Sequence, residues 1–151
     1  MILLGAMLSV GDGVEMDIQK SESWFLRASI AGSVEGTYRL GLLYGREGEW
    51  DKAITAFRSC VARDFVPAMN KLGLLYLNGR IGKPDPEQAK ALWETASALG
   101  QLPARRNLGV LLMSGRYGLW AMARGARLIA SAFWGAVKLA DPNRPSDLLR
   151  S

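Results

Sequence analysis

The stretch YRLGLLYGREG, residues 38–48, is nearly repeated as MNKLGLLYLNG, residues 69–79. A Leu-Gly-Leu-Leu-Tyr run written twice, thirty-two residues apart, raises the question of an internal repeat, and repeats decide architecture before any local reading does. Leu-Gly pairs stand at Leu4-Gly5, Leu40-Gly41, Leu72-Gly73 and Leu108-Gly109, separated by 36, 32 and 36 residues. Other positions hold the same offsets. Sixteen residues before Gly41, Gly73 and Gly109 lie Phe25, Phe57 and Trp93, all aromatic. Thirteen before lie Ala28, Cys60 and Ala96, all small, and nine before lie Gly32, Asp64 and Gly100, residue types that leave a helix. Three after each glycine stands a large residue: Leu8, Tyr44, Tyr76 and Leu112.

Each unit reads as two helices. In VPAMNKLGLLYLNG, residues 66–79, Ala68, Leu72, Leu75 and Tyr76 fall at helical spacing and Gly79 ends the run. In DPEQAKALWETASALG, residues 85–100, Asp85 is the N-cap candidate and Pro86 takes the first helical position, where its missing N–H costs nothing. Ala89, Leu92, Trp93, Ala96 and Leu99 form its apolar face, and Gly100 is the C-cap candidate. A glycine inside a helix costs roughly 1 kcal/mol relative to alanine. Incurring that cost four times points to a need for close approach: the second helix lies against the glycine, with its aromatic residue in the gap and small residues such as Ala28 and Ala96 serving the same contact.

These residues resemble the Sel-one-like repeat family, a relative of the tetratricopeptide repeats. Leu4-Gly5, Gly11, Gly13-Val14, Asp17, Lys20, Trp24-Phe25, Ala28 and Gly32 follow its pattern, with Leu8 in place of a tyrosine and Ser21 in place of an alanine. Ala68, Leu72-Gly73, Tyr76, Gly79, Gly82, Asp85, Ala89, Trp93, Ala96 and Gly100 follow it again. Residues 33–64 carry a turn four residues shorter and look closer to a tetratricopeptide unit, and the fourth unit keeps only its first helix clearly. The resemblance covers about residues 1–115. It implies an all-α fold, a right-handed α/α superhelix of helix-turn-helix repeats. The expected units are 1–32, 33–64, 65–100 and 101–140 in one solenoid domain, with residues 141–151 as a tail. The first unit has little before Leu4, which leaves open a natural start or the loss of earlier repeats.

The fourth unit departs from the others in GLWAMARGARLIASAFWGAVKLAD, residues 118–141. The spacing predicts one long helix over 118–140, with apolar residues on more than one face and Arg124, Arg127 and Lys138 as its charges before Asp141. A terminal solenoid unit normally turns a polar face to water. Three readings stand for Trp120, Phe133 and Trp134: capping by the tail through Leu148 and Leu149, docking of a second copy or partner, or a place in a membrane interface with Arg and Lys snorkelling. Two central arginines argue against spanning.

The resemblance implies a binding scaffold, whose first helices usually line a concave groove. On that geometry the residue two before each Leu, Tyr38, Asn70 and Arg106, faces the groove. So does the residue after each Gly, Leu42, Leu74 and Val110, with Leu77 and Met113 one turn on. An apolar floor with one polar or aromatic group per unit suits a peptide or amphipathic helix. For Leu42 and Leu74 a core role competes equally with groove lining; Tyr38, Asn70 and Arg106 are expected at the surface.

Composition excludes much else. The chain has 151 residues, no histidine and one cysteine, Cys60, so the commonest general base, the commonest transition-metal ligand and any internal disulfide are missing. Cys60 in a helical pattern reads as a small buried side chain. No catalytic residue, metal or cofactor is expected. Asp12, Glu15 and Asp17 lack the spacing of a calcium-binding EF-hand loop, and GRIGK, residues 79–83, lacks that of a phosphate-binding loop. The resemblance admits a hydrolase only weakly, since the relatives linked to β-lactam binding use paired cysteines in each repeat. The net charge of +5 is mostly spread, with a local excess at Arg105, Arg106, Arg116, Arg124 and Arg127, and lacks the basic runs interleaved with aromatics that nucleic acid requires. The apolar start MILLGAMLSV lacks a positive n-region and a cleavage site, so no signal peptide is recognised and a cytoplasmic location follows, with a peripheral membrane position left open. The expected partner is a protein or peptide; self-association and a membrane surface are the alternatives.

Overall fold

The computed structural model describes residues 1–140; the tail, with Leu148 and Leu149, lies outside the described residues. The chain is all-α. Its helices are α1 (Ile2–Val10), α2 (Ile18–Ile30), α3 (Val34–Glu47), α4 (Trp50–Val61), α5 (Val66–Leu77), α6 (Pro86–Ala98), α7 (Leu102–Met113) and α8 (Leu119–Leu139). They fall into two compact units, residues 1–89 and the residues from 90 onward.

In the first unit α1 packs on α2, α3 on α4, and α3 also lies against both α1 and α2. Local chemistry sets the helix starts. The Asp17 carboxylate accepts the Lys20 amide at 2.9 Å, Ser33 Oγ accepts the Gly36 amide at 3.1 Å, and Asp85 Oδ1 accepts those of Glu87 and Gln88 at 3.1 and 3.0 Å. Three second helices are followed within four residues by left-handed backbone at Gly32 (φ 86°), Asp64 (φ 55°) and Gly100 (φ 84°).

The notch around Gly5 and Gly41 is what the sequence spacing predicts. A Cβ built on Gly5 would lie 2.7 Å from the Phe25 ring, and one on Gly41 would lie 2.7 Å from the Phe57 ring. The missing side chain is the space the ring fills. Beside it, the buried Ser21 hydroxyl donates to the Gly5 carbonyl at 2.8 Å, closing the same joint with a hydrogen bond. Phe25, Leu40 and Leu43 form one core cluster, with Ile2, Ala6, Ile18 and Tyr44 packed on it. Ala28 plays a different part from the expected one. It meets the next unit's first helix, where a Cβ on Gly36 would be 2.7 Å from the Ala28 Cβ. The small residue that touches its own unit's first helix is Ser21.

In the second unit α7 packs on α8. The fourth pair is complete. Gly125, Ile129 and Ala132 follow Gly109 by 16, 20 and 23 residues, the offsets at which Ser21, Phe25 and Ala28 follow Gly5. A Cβ on Gly109 would lie 2.7 Å from Ile129 Cγ1 and 2.8 Å from the Gly125 carbonyl oxygen. The period was hidden because Ile129 replaces the aromatic residue. Ala136 stands where the other units carry Gly32, Asp64 and Gly100; with nothing there to favour a left-handed turn, α8 runs on to Leu139.

Candidate functional site

In the first unit Leu42, half-buried, lines a cavity on either side. One, of about 200 Å³, is bounded by Ser9, Phe25, Arg39, Leu43 and Arg46. The other, of about 210 Å³, is bounded by Trp50, Phe57, Lys71, Leu74 and Leu75, with Gly41 and Gly45 in its wall. The spacing that makes Gly41 a notch for Phe57 on one side of α3 carries Leu42 round to the open side. Leu42 and Leu74 are therefore brought together, while Leu77 is half-buried one turn further along α5. The charged residues lining these two cavities are Arg39, Arg46 and Lys71. Arg39 Nε is held by Glu35 at 2.6 Å and Arg46 donates to the Ser9 carbonyl at 2.9 Å, so both guanidinium groups are positioned.

Asn70 does not present itself at the surface as expected, and Tyr38 is half-buried. The Tyr38 ring is 5.8 Å from that of Phe57 and 5.2 Å from that of Phe65, so it wedges between α4 and the start of α5. Burial, with the Glu35 charge behind it, pushes its phenol pKa up. Asn70 is 8% exposed. Tyr38 thus turns toward the helices that follow α3. The aromatic wedge of Tyr38, Phe57 and Phe65 is legible only once α5 is known to start at Val66.

In the second unit Arg106, Val110 and Met113 recur at helical spacing along α7 and all are exposed. Arg106 and Phe133 line a common open cavity of about 390 Å³ with Leu102, Pro103, Ile129, Ala132 and Ala136. Trp120 is 92% exposed and Trp134 63%. The spacing 120, 127, 134 puts both tryptophans on one stripe with Arg127, about 100° of helix rotation from Phe133. The three aromatic residues of α8 thus belong to two surfaces.

Among the described residues no group of three or more Cys, Asp or Glu is placed to hold a metal ion. Cys60 is fully buried and its thiol donates to the Val34 carbonyl at 3.6 Å; burial pushes its pKa up to about 11, away from thiolate reactivity. No helix of the described residues is long and apolar enough to cross a membrane.

The family model for the Sel1 repeat matches residues 1–33, 34–57 and 66–101, well over half of the chain. The chain belongs to the Sel1 repeat family. Among similar proteins is the F-box protein At1g70590 of Arabidopsis thaliana, 26% identical over 104 residues that cover 69% of this chain and 29% of that protein. The putative sel1-like repeat-containing protein L21 of Acanthamoeba polyphaga mimivirus is 25% identical over 114 residues, 76% of this chain and 21% of that protein. The chain spans less than a third of either relative. Among solved structures, the Sel1 repeat protein from Oxalobacter formigenes superposes with a TM-score of 0.76 at 25% identity, covering 89% of this chain and 57% of that one. The protective antigen c5321 of uropathogenic Escherichia coli, which displays the same fold, gives 0.77 at 25% identity over 87% of this chain and 29% of that one. A Sel1 repeat module is typically a protein-interaction scaffold and generally non-catalytic.

Proposed function

We propose that the chain is a non-catalytic adaptor that captures a peptide or amphipathic helix on the open face of α1, α3 and α5. One observation carries the reading: the two cavities flanking Leu42, which share an apolar floor and place Arg39, Arg46 and Lys71 along its walls. Two adjacent apolar pockets suit side chains about one helical turn or two strand residues apart, and the basic walls favour a ligand carrying a carboxylate. Leu42 and Leu74 are the contact residues; Tyr38 and Asn70 support the face from behind. A second reading gives the chain's contact to α8, as a membrane-surface or self-associating module. The stripe of Trp120, Arg127 and Trp134 favours it, since tryptophan with arginine is the pairing that lodges at a lipid headgroup boundary.

One comparison tests both. Phage-displayed peptides are selected on the intact chain and re-screened on Leu42→Glu/Leu74→Glu, while sedimentation with phosphatidylserine vesicles is measured for the intact chain and Trp120→Ser/Trp134→Ser. The adaptor reading expects enriched peptides whose binding falls at least tenfold in the first variant, with no vesicle binding. Peptides indifferent to that variant sink it, and sedimentation lost in the second variant installs the other reading.

A further inference from the structure

The cavity between α7 and α8 sits where a further helix would pack. In the first unit α3 lies against both α1 and α2. It is seated by Gly36 on Ala28, and the Ser29 and Thr37 hydroxyls meet at 2.7 Å. In the second unit Ala132 occupies the place of Ala28, and Phe133 that of Ser29. Ala132 is buried at the floor of the 390 Å³ cavity, and Phe133, 66% exposed, forms its lip. Among the described residues α8 passes this point without turning back, because Ala136 replaces the helix-leaving residue.

Arg106 fixes the chemistry of the occupant. Its counterpart Tyr38, also three residues before the repeat glycine, packs on Phe65, the residue that caps the start of α5. Arg106 therefore faces the position of an incoming helix's N-cap. Neither α7 nor α8 carries a carboxylate. Residues 90–140 hold seven Lys and Arg against one acid, Glu94, whereas residues 1–89 hold ten against eleven. Glu94 is engaged with Lys90 at 3.3 Å and Arg124 at 3.1 Å. An aspartate at the incoming N-cap would serve its own helix and pair with Arg106 at once. Small buried residues of the chain's own first helices lie three positions after their caps: Gly36, which seats on Ala28, after Ser33, Ala68 after Phe65, and Ala104 after Gln101.

We infer that the α7–α8 groove docks an α-helix from a partner protein whose first turn reads Asp-x-x-Gly or Asp-x-x-Ala, the acid meeting Arg106 and the small residue meeting Ala132. The site shares no lining residue with the Leu42 face and does not depend on that reading. A second copy is disfavoured as occupant: α1 has no acid in its first turn, and α8 against α8 would oppose Arg124, Arg127 and Lys138 to themselves.

The test uses the full chain and a synthetic peptide of residues 33–48, the helix that fills the corresponding place in the first unit, with Ser33→Asp. Anisotropy should show saturable binding, at least tenfold weaker for the peptide carrying Ser33→Lys or Gly36→Leu. The chain with Arg106→Glu should reverse the preference to the Lys peptide, and Phe133→Ser should weaken both; both residues are exposed, and unchanged thermal melting certifies the fold. No saturable binding, or binding indifferent to residue 33 or to Arg106→Glu, overturns the proposal. So does binding that emerges only on removal of residues 141–151, a dimer mass abolished by Phe133→Ser, or phosphatidylserine-vesicle binding competed by the peptide. These outcomes assign the groove to the tail, a second copy or lipid. Leu42→Glu/Leu74→Glu leaves the peptide's affinity unchanged, which separates this result from the fate of the adaptor face.

Discussion

In the α3–α4 pair the repeat glycine is met by the edge of the Phe57 ring, whereas in the α7–α8 pair two glycines face each other and Ile129 fills what remains. A Cβ on Gly125 would lie 2.6 Å from the Gly109 carbonyl oxygen, so the two backbones nearly touch. The same notch is thus closed once by a side chain and once by main chain. A ring can tilt by a few tenths of an ångström; a helix backbone yields only if the whole helix shifts. The aromatic closure is the tolerant version, and the glycine–glycine closure the demanding one.

The largest effect should come from breaking the demanding version. Gly125→Ala puts a methyl group against a carbonyl oxygen and should cost about 3 kcal/mol, the upper end of ordinary overpacking, despite the roughly 1 kcal/mol that alanine gains in helix propensity. Urea unfolding followed by tryptophan fluorescence reads the change. A cost under about 1 kcal/mol would mean that α7 and α8 have slack the geometry does not show.

Gly41→Ala tests the tolerant version. Its methyl meets the edge of the Phe57 ring, and the expected net cost is about 1 to 2 kcal/mol. Because the clash is with one side chain, trimming that side chain should relieve it. Gly41→Ala combined with Phe57→Leu should be more stable than the sum of the two single changes predicts, by about 1 kcal/mol. Strict additivity would show that the ring is not what the glycine accommodates.

The contrast also explains what the sequence could and could not disclose. Gly5, Gly41, Phe25 and Phe57 are legible because a repeated glycine is costly and an aromatic residue at a fixed offset is rare; both stand out against a helical background. Asp17 and Asp85 are legible as caps for a local reason, since a carboxylate reaches its own first turn. The fourth pair is muted because Ile129, Gly125 and Ala132 are ordinary residues in an apolar helix, recognisable only by counting 16, 20 and 23 forward from Gly109. The wedging of Tyr38 on Phe57 and Phe65 is a matter of which neighbours follow, and one helix's periodicity does not contain that. Leu42, expected equally as core or groove, is half-buried with a cavity on each side.

The smallest effect separates the pairs by pH. Three residues after the glycine stands Tyr44 in α3 and Leu112 in α7. Leu112 is 1% exposed and has nothing to titrate. Tyr44 donates its hydroxyl to Glu22 at 2.9 Å. Burial first, then that hydrogen bond and the nearby charges of Glu22 and Glu49, push its phenol pKa up to about 12. The unfolded phenol titrates near 10, so the folded state holds the proton more tightly. The stability that Tyr44 contributes is then fully present below about pH 10 and is lost as pH rises toward about 12. Tyr44→Phe should cost about 1 kcal/mol at pH 8, the worth of one hydrogen bond. The gap between the parent chain and the variant should shrink steadily above pH 10. Cys60, pushed up to about 11 by burial, weakens both chains alike over part of this range and cancels in the difference. A gap that stays constant from pH 8 to 12 would mean that the hydroxyl is held no more tightly in the folded chain than in water. The α2–α3 contact would then be as indifferent to alkali as the leucine-lined joint of α7 and α8.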